Sequence, residues 1–478
     1  MPWRSFTREQ GWLFPPTLDD LMPSDHPARF VAAFVDELPA SCWETLGVDL
    51  AGEAIGAPAY HPRALLGVWL YGFMTGLRSS RKLEAACRDQ VPYLWLTGWQ
   101  HPDHNTLWRF YQAHRPHLRY LLRETVQTAV RLALLDWAVQ AVDGTKVGGN
   151  AARERTLDAQ GLRRLLERTE TAIADLEAQN EGSDDPPPPQ LPDALQRATN
   201  LRDRVRAALQ QSEQERRTVN LTDPEAHFMP GRQGFVVGYN AQVMVAPVTG
   251  TTQVLITAAA VVQQPTDNAQ LLPLMEQAAE LTGKPAGMTL ADAGYFSGPN
   301  LAACAARGQA VAIPEKQPHP AHPYHKDRFH YDPGKDEYAC PEGQPLHFGH
   351  VKHRTAEAPV RVYRTPRGVC HTCPAFGICT KDAVAGRLLE VTPADGALRA
   401  HRAWMATPTA QAVLRPRKQL VEPVFGILKE QRHVRRFLLR GLNNVRAEWE
   451  LLAAAFNLRS LWSAMRRSLA GPPPISAN

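Results

Sequence analysis

Strand-like and helix-like segments alternate between residues 136 and 316, and this order limits the chain to folds that layer helices on a mixed sheet. The segment WAVQAVDG alternates and then reaches Asp143 and Gly144, where a strand is expected to end in a turn. Two β-rich runs follow, GFVVGYNAQVMVA and TTQVLITAAAVV, which a PVTG turn joins into a predicted antiparallel hairpin. A helix, a short strand that runs into Asp292, a second helix and a last short strand complete the order. We therefore predict an α/β core with Asp143 and Asp292 at strand ends, although an aspartate before a glycine is often only a turn residue.

Helical segments precede this predicted core and interrupt it once. Residues 1–135 repeat Trp, Leu and Phe at three- and four-residue steps, and PDHNTLWRF offers Asp103 or Asn105 as a helix N-cap. A basic cluster, RSSRK, begins at Arg78, so this region is compatible with DNA-end binding, while helix packing alone explains the pattern equally well. Residues 151–220 predict a helical hairpin with the proline-rich tip SDDPPPPQLPD.

The composition predicts a cytoplasmic protein with no membrane contact. Of the 478 residues, 44% are apolar, but no signal-peptide pattern and no run of about 18 apolar residues occurs. The chain has seven cysteines, an odd number, and in a cytoplasmic protein a disulfide framework is not expected.

Four of the cysteines lie in one region, at 317–400, and they are Cys340, Cys370, Cys373 and Cys379. Four thiols that include a C-x2-C pair, with Pro and Gly around them, suit a tetrahedral structural zinc site. The C-x5-C spacing that follows is looser than a usual second pair. Reduced, metal-free thiols therefore remain the alternative.

Positive charge is concentrated between residues 415 and 446. This segment carries nine Lys or Arg and two acids, a net charge of +7 in a chain whose total is +5. Such a concentration is expected of a surface for a polyanion, most often nucleic acid, although charge runs are usually only a solvated helix face. Glu422 has Lys418 four residues before it and Arg415 and Lys429 seven residues away, spacings that return to nearly the same side of an α-helix. Pro423 is expected to kink this helix or to start a new one.

Three carboxylates, Asp143, Asp292 and Glu422, thus occupy informative places in three distant segments. Mg²⁺ takes few protein ligands, mainly carboxylates, and leaves positions for phosphate and water. Two such ions roughly 3.5 to 4 Å apart activate a nucleophile and stabilise the leaving oxygen in phosphodiester chemistry. The basic residues beside the third acid would then bind neighbouring phosphates.

Four segments resemble the DDE transposases of bacterial insertion sequences, whose catalytic domain has a ribonuclease H-like fold. These segments are AVDGTKV, GYNAQ, TLADAGYF and the run from KQLVEPVFG to AAAFNL. PDHNTLWRF is similar to the N-terminal region of the same group. The resemblance implies that Asp143, Asp292 and Glu422 are the catalytic acids and bind Mg²⁺ or Mn²⁺. Relatives carry a Tyr-x2-Arg-x3-Glu-x6-Lys signature; Glu422 and Lys429 match it, while an arginine replaces the tyrosine and a lysine the arginine. Lysine keeps the charge but loses bidentate phosphate recognition.

The function that the resemblance implies is cleavage of double-stranded DNA at transposon ends and joining of the freed 3′ hydroxyl to target DNA, by a homodimer in the bacterial nucleoid. A ribonuclease H-like nuclease that does not join strands and a DNA-binding descendant without metal chemistry are the alternatives. The implied DNA contacts are Arg415, Lys418, Lys429, Arg432, Arg435, Arg436 and Arg440.

The implied fold is an α/β ribonuclease H-like core, a mixed sheet flanked by helices, with an all-α N-terminal domain and two insertions. The predicted units are the helical N-terminal domain at 1–135, the core at 136–150 and 221–316, the helical hairpin at 151–220, the cysteine-rich insertion at 317–400 and the C-terminal helices at 401–470.

Overall fold

A computed structural model describes residues 17–50, 59–181, 191–231, 234–316, 322–353 and 359–470. Most of the proline-rich tip predicted for the helical hairpin lies outside these ranges. Within them, none of the helices has both the length and the apolar composition that a bilayer crossing requires.

Short helices, separated by Gly and Pro, form the N-terminal part: α1 (Pro27–Asp36), α2 (Ala40–Leu46), α3 (Pro62–Thr75), α4 (Ser80–Asp89), α5 (Val91–Leu96), α6 (His104–His114) and α7 (Arg119–Arg131). Helix α3 is the centre of this part, because all ten residues from Leu65 to Met74 are buried. Asp103 is the N-cap of α6, as predicted, and its carboxylate accepts the backbone N–H of Thr106 at 2.6 Å.

A mixed sheet lies at the centre of the molecule, with strands β1 (Gln140–Gly148), β4 (His227–Gly231), β5 (Gly234–Pro247), β6 (Val254–Val262), β7 (Thr289–Leu290) and β8 (Val311–Ala312). Five strands lie in the order β6-β5-β1-β7-β8, and β4 pairs with the beginning of β5. Strand β5 is antiparallel to β1 and β6, whereas β7 is parallel to β1 and to β8. The predicted mixed sheet is therefore present, and its arrangement is consistent with a ribonuclease H-like core.

Strand β1 does not end at Asp143, so the expectation of a turn there was wrong. The ladder with β5 continues from Asp143↔Val243 to Gly148↔Gly238. Gly144 lies inside this ladder, and a Cβ there would be 2.5 Å from Nε2 of Gln242, so a larger residue would displace the Gln242 side chain. Asp143 is consequently a partly buried residue within a strand.

Helices cover both faces of this central sheet: α10 (Leu271–Thr282), α11 (Gly298–Ala306), α12 (Asp395–Met405), α13 (Pro408–Leu414), α14 (Arg417–Gly426) and α15 (Leu442–Ala470). Helices α10 and α11 pack on the face of Val142 and Met244. Helix α15 packs on the other face, where the side-chain amide of Asn457 exchanges two hydrogen bonds of 2.7 and 2.8 Å with the backbone of Ile256. The sheet is thus buried between two helical layers, which explains its near-continuous apolar strands.

The core of the N-terminal helices is continuous with the core of the central sheet and α15. At this junction Arg78 donates to Glu448 at 2.7 Å, with side chains only 7% and 2% exposed. The same guanidinium donates to the carbonyl oxygens of His433 and Arg436. Burial raises the pKa of Glu448, and the charge of Arg78 opposes that shift. One buried ion pair therefore connects the beginning of the chain to its last helix.

Two additional units project from this body. Helices α8 (Ala159–Glu181) and α9 (Leu191–Glu215) pack on each other, and the short strands β2 (Thr156–Leu157) and β3 (Val219–Asn220) pair at their base. The second unit is a five-stranded antiparallel sheet, here the cysteine-rich sheet, in the order β13-β12-β11-β10-β9. Its strands are β9 (His330–Asp332), β10 (Glu337–Ala339), β11 (Pro345–His353), β12 (Pro359–Arg364) and β13 (Leu388–Val391).

Candidate active site

Two of the three predicted acids lie at the same edge of the sheet, Asp143 within β1 and Asp292 just after the end of the neighbouring parallel strand β7. Ala141 of β1 pairs with Leu290 of β7, and each aspartate lies two residues beyond its paired residue. Neighbouring strands are about 4.8 Å apart, so the two side chains start from the same edge of the sheet. Asp292 also caps the following 3₁₀ turn, since its carboxylate accepts the backbone N–H of Gly294 at 2.8 Å.

The carboxyl group of Asp143 has an unusual environment. Burial raises its pKa to about 6, the guanidinium of Arg417 opposes the shift, and the charges of Asp292 and Asp267 add to it. Arg417 lies 3.0 Å from Asp143 through Nη2, and the backbone N–H of Gly144 donates to the same carboxylate at 2.8 Å. Negative charge is therefore concentrated at this edge and is only partly neutralised, as expected of a cation-binding site.

Asp267, in the loop between β6 and α10, is a fourth carboxylate that the sequence reasoning missed. Its Oδ1 accepts from Asn240 at 2.7 Å and from Gln242 at 2.6 Å, and it lies 3.4 Å from Nζ of Lys146. Tyr295, three residues after Asp292, donates its hydroxyl to the side-chain carbonyl of Gln242. Asp267 thus connects β1 and β5 to the turn that carries Asp292. The sequence signal that could have identified Asp267 is its position shortly after a buried strand. The same kind of signal singled out Asp292.

Helix α14 carries the third predicted acid, Glu422, and packs on β1 through the buried Val421 and Val424. The helix continues through Pro423 and then widens into a π-helical turn, Ile427–Gln431, so Pro423 does not start a new helix here. Glu422 itself is exposed to solvent.

The π-helical turn directs Lys429 toward the central sheet. Its ammonium donates to the hydroxyl of Thr145 and, at 3.1 Å, to the carbonyl oxygen of Lys146. Just after the turn, backbone hydrogen bonds of 3.1 and 2.8 Å join Gly148 to Arg435 and Phe437. The segment that follows Glu422 is therefore anchored along β1, beginning two residues from Asp143.

Of the seven basic residues predicted to contact DNA, five are exposed, in two groups. Arg415 and Lys418 are exposed at the beginning of α14. Arg435, Arg436 and Arg440 are also exposed; the first pairs with Glu430, and the other two donate to backbone carbonyls at 149–151.

Arg432 was also predicted to contact DNA, but this residue is only 3% exposed and cannot reach DNA in this structure. Its guanidinium lies 5.5 Å from the ring centre of Phe456, and burial lowers its pKa to about 10. Arg417, which the sequence reasoning did not single out, is likewise buried and contacts Asp143. The two arginines lie inside the protein because distant segments cover them, and a charge count along the chain carries no information about that.

The four predicted zinc-binding cysteines come together around one small cavity in the cysteine-rich sheet, together with Thr365 and Arg387. His371, in contrast, is exposed and makes an edge-to-face contact with Phe376, with ring centres 5.4 Å apart. Across the ranges that the structure describes, no three His, Cys, Asp or Glu side chains already converge closely enough to hold a metal ion. Neither the acids nor the thiols therefore form a closed coordination sphere.

The site therefore combines carboxylates clustered at the edge of a mixed α/β sheet with a basic helical segment beside them. Comparison with known families agrees with this. The family described as a transposase DDE domain matches residues 339–462, and the transposase domain DUF772 matches residues 16–113. Both matching families are transposase families, in agreement with the resemblance that the sequence motifs carry, and each match covers less than half of the chain. No curated protein matches the chain.

Proposed function

We propose that this transposase cleaves DNA at transposon ends and joins the freed 3′ hydroxyl to a target strand, with Asp143, Asp292 and Glu422 holding the divalent cations. The observation that carries the proposal is the placement of Asp143 and Asp292 at one edge of the sheet, each two residues beyond the paired residues Ala141 and Leu290 of β1 and β7. Burial raises the pKa of Asp143 to about 6, the charge of Asp292 adds to that shift, and a bound cation would favour the charged form of Asp143.

The donor set fits Mg²⁺ or Mn²⁺. These ions prefer carboxylate oxygens and retain water and substrate phosphate in the remaining positions. Asp143 and Asp292 supply such oxygens, and Glu422 lies on the helix that packs against the strand of Asp143. Because Glu422 is exposed, its side chain is free to turn toward the sheet when cation and DNA are present. Bound divalent ions would activate the attacking oxygen and stabilise the leaving oxygen.

The protein's own groups position the DNA and the acids. In the first step water attacks the phosphorus at the transposon end and the bond to the 3′ oxygen breaks, which leaves a 3′ hydroxyl. In the second step that hydroxyl attacks a phosphorus of the target strand, a new bond from the 3′ oxygen to phosphorus forms, and the target's own bond between that phosphorus and its 3′ oxygen breaks, which leaves a 3′ hydroxyl on the target. The exposed basic residues of this segment would neutralise backbone phosphates, and they are Arg415, Lys418, Arg435, Arg436 and Arg440. Lys429 and Arg417 instead hold α14 and the following turn on β1.

Double-stranded DNA is thus the proposed partner, and synapsis of two transposon ends would require two copies of the chain. The DNA that flanks the gene, searched for inverted repeats, supplies the substrate for the test.

The test measures strand cleavage on such an end with purified protein and Mg²⁺. Glu422→Gln and Asp292→Asn should each reduce the cleavage rate by on the order of 10³-fold, because several kcal/mol of charge stabilisation is lost. Glu430→Gln is the matched control, since this exposed glutamate lies eight residues from Glu422 and should retain activity. Cleavage at the wild-type rate by both acid variants would refute the assignment. Pre-cleaved ends test joining separately: cleavage without strand-transfer products would identify a nuclease instead.

A further inference from the structure

The cysteine-rich sheet brings together four thiols that are far apart in the chain. Cys340 follows β10, Cys370 and Cys373 lie in and after a 3₁₀ turn beyond β12, and Cys379 lies in the loop before β13. All four line the same cavity, and none of the seven cysteines, all of which lie in described ranges, forms a disulfide. Sulfur atoms from separate turns around one small cavity are the usual arrangement of a structural metal site.

Backbone and side-chain groups already point at two of the sulfur atoms. The backbone N–H of Gln344 donates to Sγ of Cys340 at 3.3 Å, and that of Arg387 donates to Sγ of Cys370 at 3.2 Å. The hydroxyl of Thr365 lies 3.1 Å from the same Cys370 sulfur. Donors around a sulfur stabilise its thiolate form and orient it, which is what the groups behind a metal ligand do.

The turns that carry the thiols have the geometry to bring sulfur atoms close together. The backbone N–H of Cys340 donates to the carbonyl oxygen of Gln344, and the N–H of Gly343 donates to the carbonyl oxygen of Cys340. Gly343 has a φ of +77°, which favours glycine. At Gly386, φ is +68° and a Cβ would lie 2.4 Å from the Thr365 hydroxyl and 3.1 Å from Sγ of Cys370. A side chain at this position would therefore occupy the space beside the thiol.

The apolar core of this sheet is small. Five buried residues form it, namely Phe329, Tyr338, Leu346, Tyr363 and Leu389, with Cys340 and Cys379 packed against them. Units with so few buried side chains generally depend on a disulfide or a metal for their stability. The thiols therefore lie where an additional cross-link would contribute most.

We propose that Cys340, Cys370, Cys373 and Cys379 bind one Zn²⁺ ion, which cross-links the turns of the cysteine-rich sheet. Soft thiolate ligands select zinc over the magnesium preferred by carboxylates. On binding, the four thiols release their protons to solvent, and rotation of the side chains within the cavity brings the sulfur atoms to about 2.3 Å from the ion. His371 takes no part because its ring faces Phe376. This zinc is separate from the proposed catalytic ions.

The first test is metal content. Full-length protein produced in zinc-supplemented medium and dialysed against metal-free buffer should contain one zinc per chain by inductively coupled plasma mass spectrometry. Cys373→Ser and Cys379→Ser should each lower the zinc affinity by at least about tenfold. Cys304→Ser is the matched control, because Cys304 is a buried thiol in α11 outside the cluster, and it should retain the full zinc content.

The second test does not depend on the variants being folded. Wild-type protein depleted of zinc and titrated with Co²⁺ should develop the thiolate-to-cobalt charge-transfer band and the visible bands of tetrahedral cobalt, with a plateau at one equivalent. Added zinc should abolish the bands and protect four cysteines from alkylation. A wild-type chain with no bound zinc and no cobalt spectrum would overturn the proposal, as would a Cys370–Cys373 disulfide or bound iron.

Discussion

Strand β5 of the central sheet has ten consecutive buried residues, whereas β11 of the cysteine-rich sheet has seven exposed residues out of nine. The first sheet lies between two layers of helices, and the second lies at the surface of the molecule. The two sheets therefore depend on different forces. Burial of apolar area is sufficient for the central sheet, while the cysteine-rich sheet must rely on local polar contacts and on its thiols.

Acidic side chains show the same difference. Burial raises the pKa of Asp143 to about 6 and that of Glu450 to about 7 in and beside the central sheet. In the cysteine-rich sheet, hydrogen bonds from Tyr363 and Tyr331 lower the pKa of the partly exposed Asp336. A negative charge on a carboxylate is thus disfavoured in and beside the central sheet and favoured in the cysteine-rich sheet. Replacing a carboxylate by an amide should therefore change the free energy of unfolding in opposite directions in the two regions.

The largest expected contrast is catalytic. Asp143→Asn should reduce strand cleavage by on the order of 10³-fold, because the proposed cation site at the edge of β1 and β7 loses one charge. Asp336→Asn, the matched change in the cysteine-rich sheet, should leave the cleavage rate within about twofold, since surface charges contribute little. Cleavage assays with both variants, alongside the zinc content of each, measure the contrast. Equal losses from the two substitutions would show that the sheets are not functionally separate.

A second contrast concerns stability at the junction with the N-terminal helices. Glu448→Gln should lower the free energy of unfolding by about 3 kcal/mol, because it leaves the buried charge of Arg78 uncompensated. Glu430→Gln breaks an ion pair whose side chains are 62% and 71% exposed, and it should cost less than about 1 kcal/mol. Urea denaturation distinguishes the two. A small loss for Glu448→Gln would mean that Arg78 finds other partners.

A third prediction concerns positioning within the central sheet. Asp267→Asn should lower the cleavage rate by about 10- to 100-fold, because Asn240, Gln242 and Lys146 lose their shared anionic acceptor. The rate should be measured as a function of Mg²⁺ concentration and pH, since a purely structural change would move neither midpoint. Glu276→Gln, an exposed acid on α10 paired with Arg307, is the control and should behave as wild type. Unchanged midpoints with an unchanged maximal rate would rule out a role for Asp267.

The smallest expected effect is a difference in the sign of pH dependence. The pKa of Glu450 is about 7 in the folded protein and about 4.5 in the unfolded chain. The contribution of Glu450 to the free energy of unfolding is therefore fully present below pH 4.5 and is lost as the pH rises to 7. Glu450→Gln stays neutral and should be more stable than wild type by on the order of 1–2 kcal/mol at pH 8, with no difference at pH 4. The pKa of Asp336 is lowered, so Asp336→Asn should lower the free energy of unfolding at pH 8 and leave it unchanged in acid. Unfolding curves at both pH values test the sign.

Local patterns predicted much of the fold. The β5–β6 hairpin, the helix ending at Gly283, the Asp103 cap and the strand before Asp292 all follow from periodicity and turn residues, which act over a few positions. Cysteine spacing likewise identified four thiols that the fold does bring together.

Contacts between distant segments were not predictable in this way. Asp143 lies within a strand because β5, almost a hundred residues later, extends the ladder. Arg417 and Arg432 are buried because other elements cover them, and Asp267 matters because Asn240 and Gln242 face it. Each of these facts depends on the packing of the whole chain rather than on the residues near it.

The bond between Arg78 and Glu448 also has a consequence for biosynthesis. The two residues are 370 positions apart, so at roughly 5–20 residues per second the ribosome makes Glu448 roughly 20–70 s after Arg78. During that interval the N-terminal helices, whose core is shared with α15, have no partner for their apolar face. Completion of the N-terminal part is therefore a late event of synthesis, and a nascent chain released early would expose that face to chaperones and proteases.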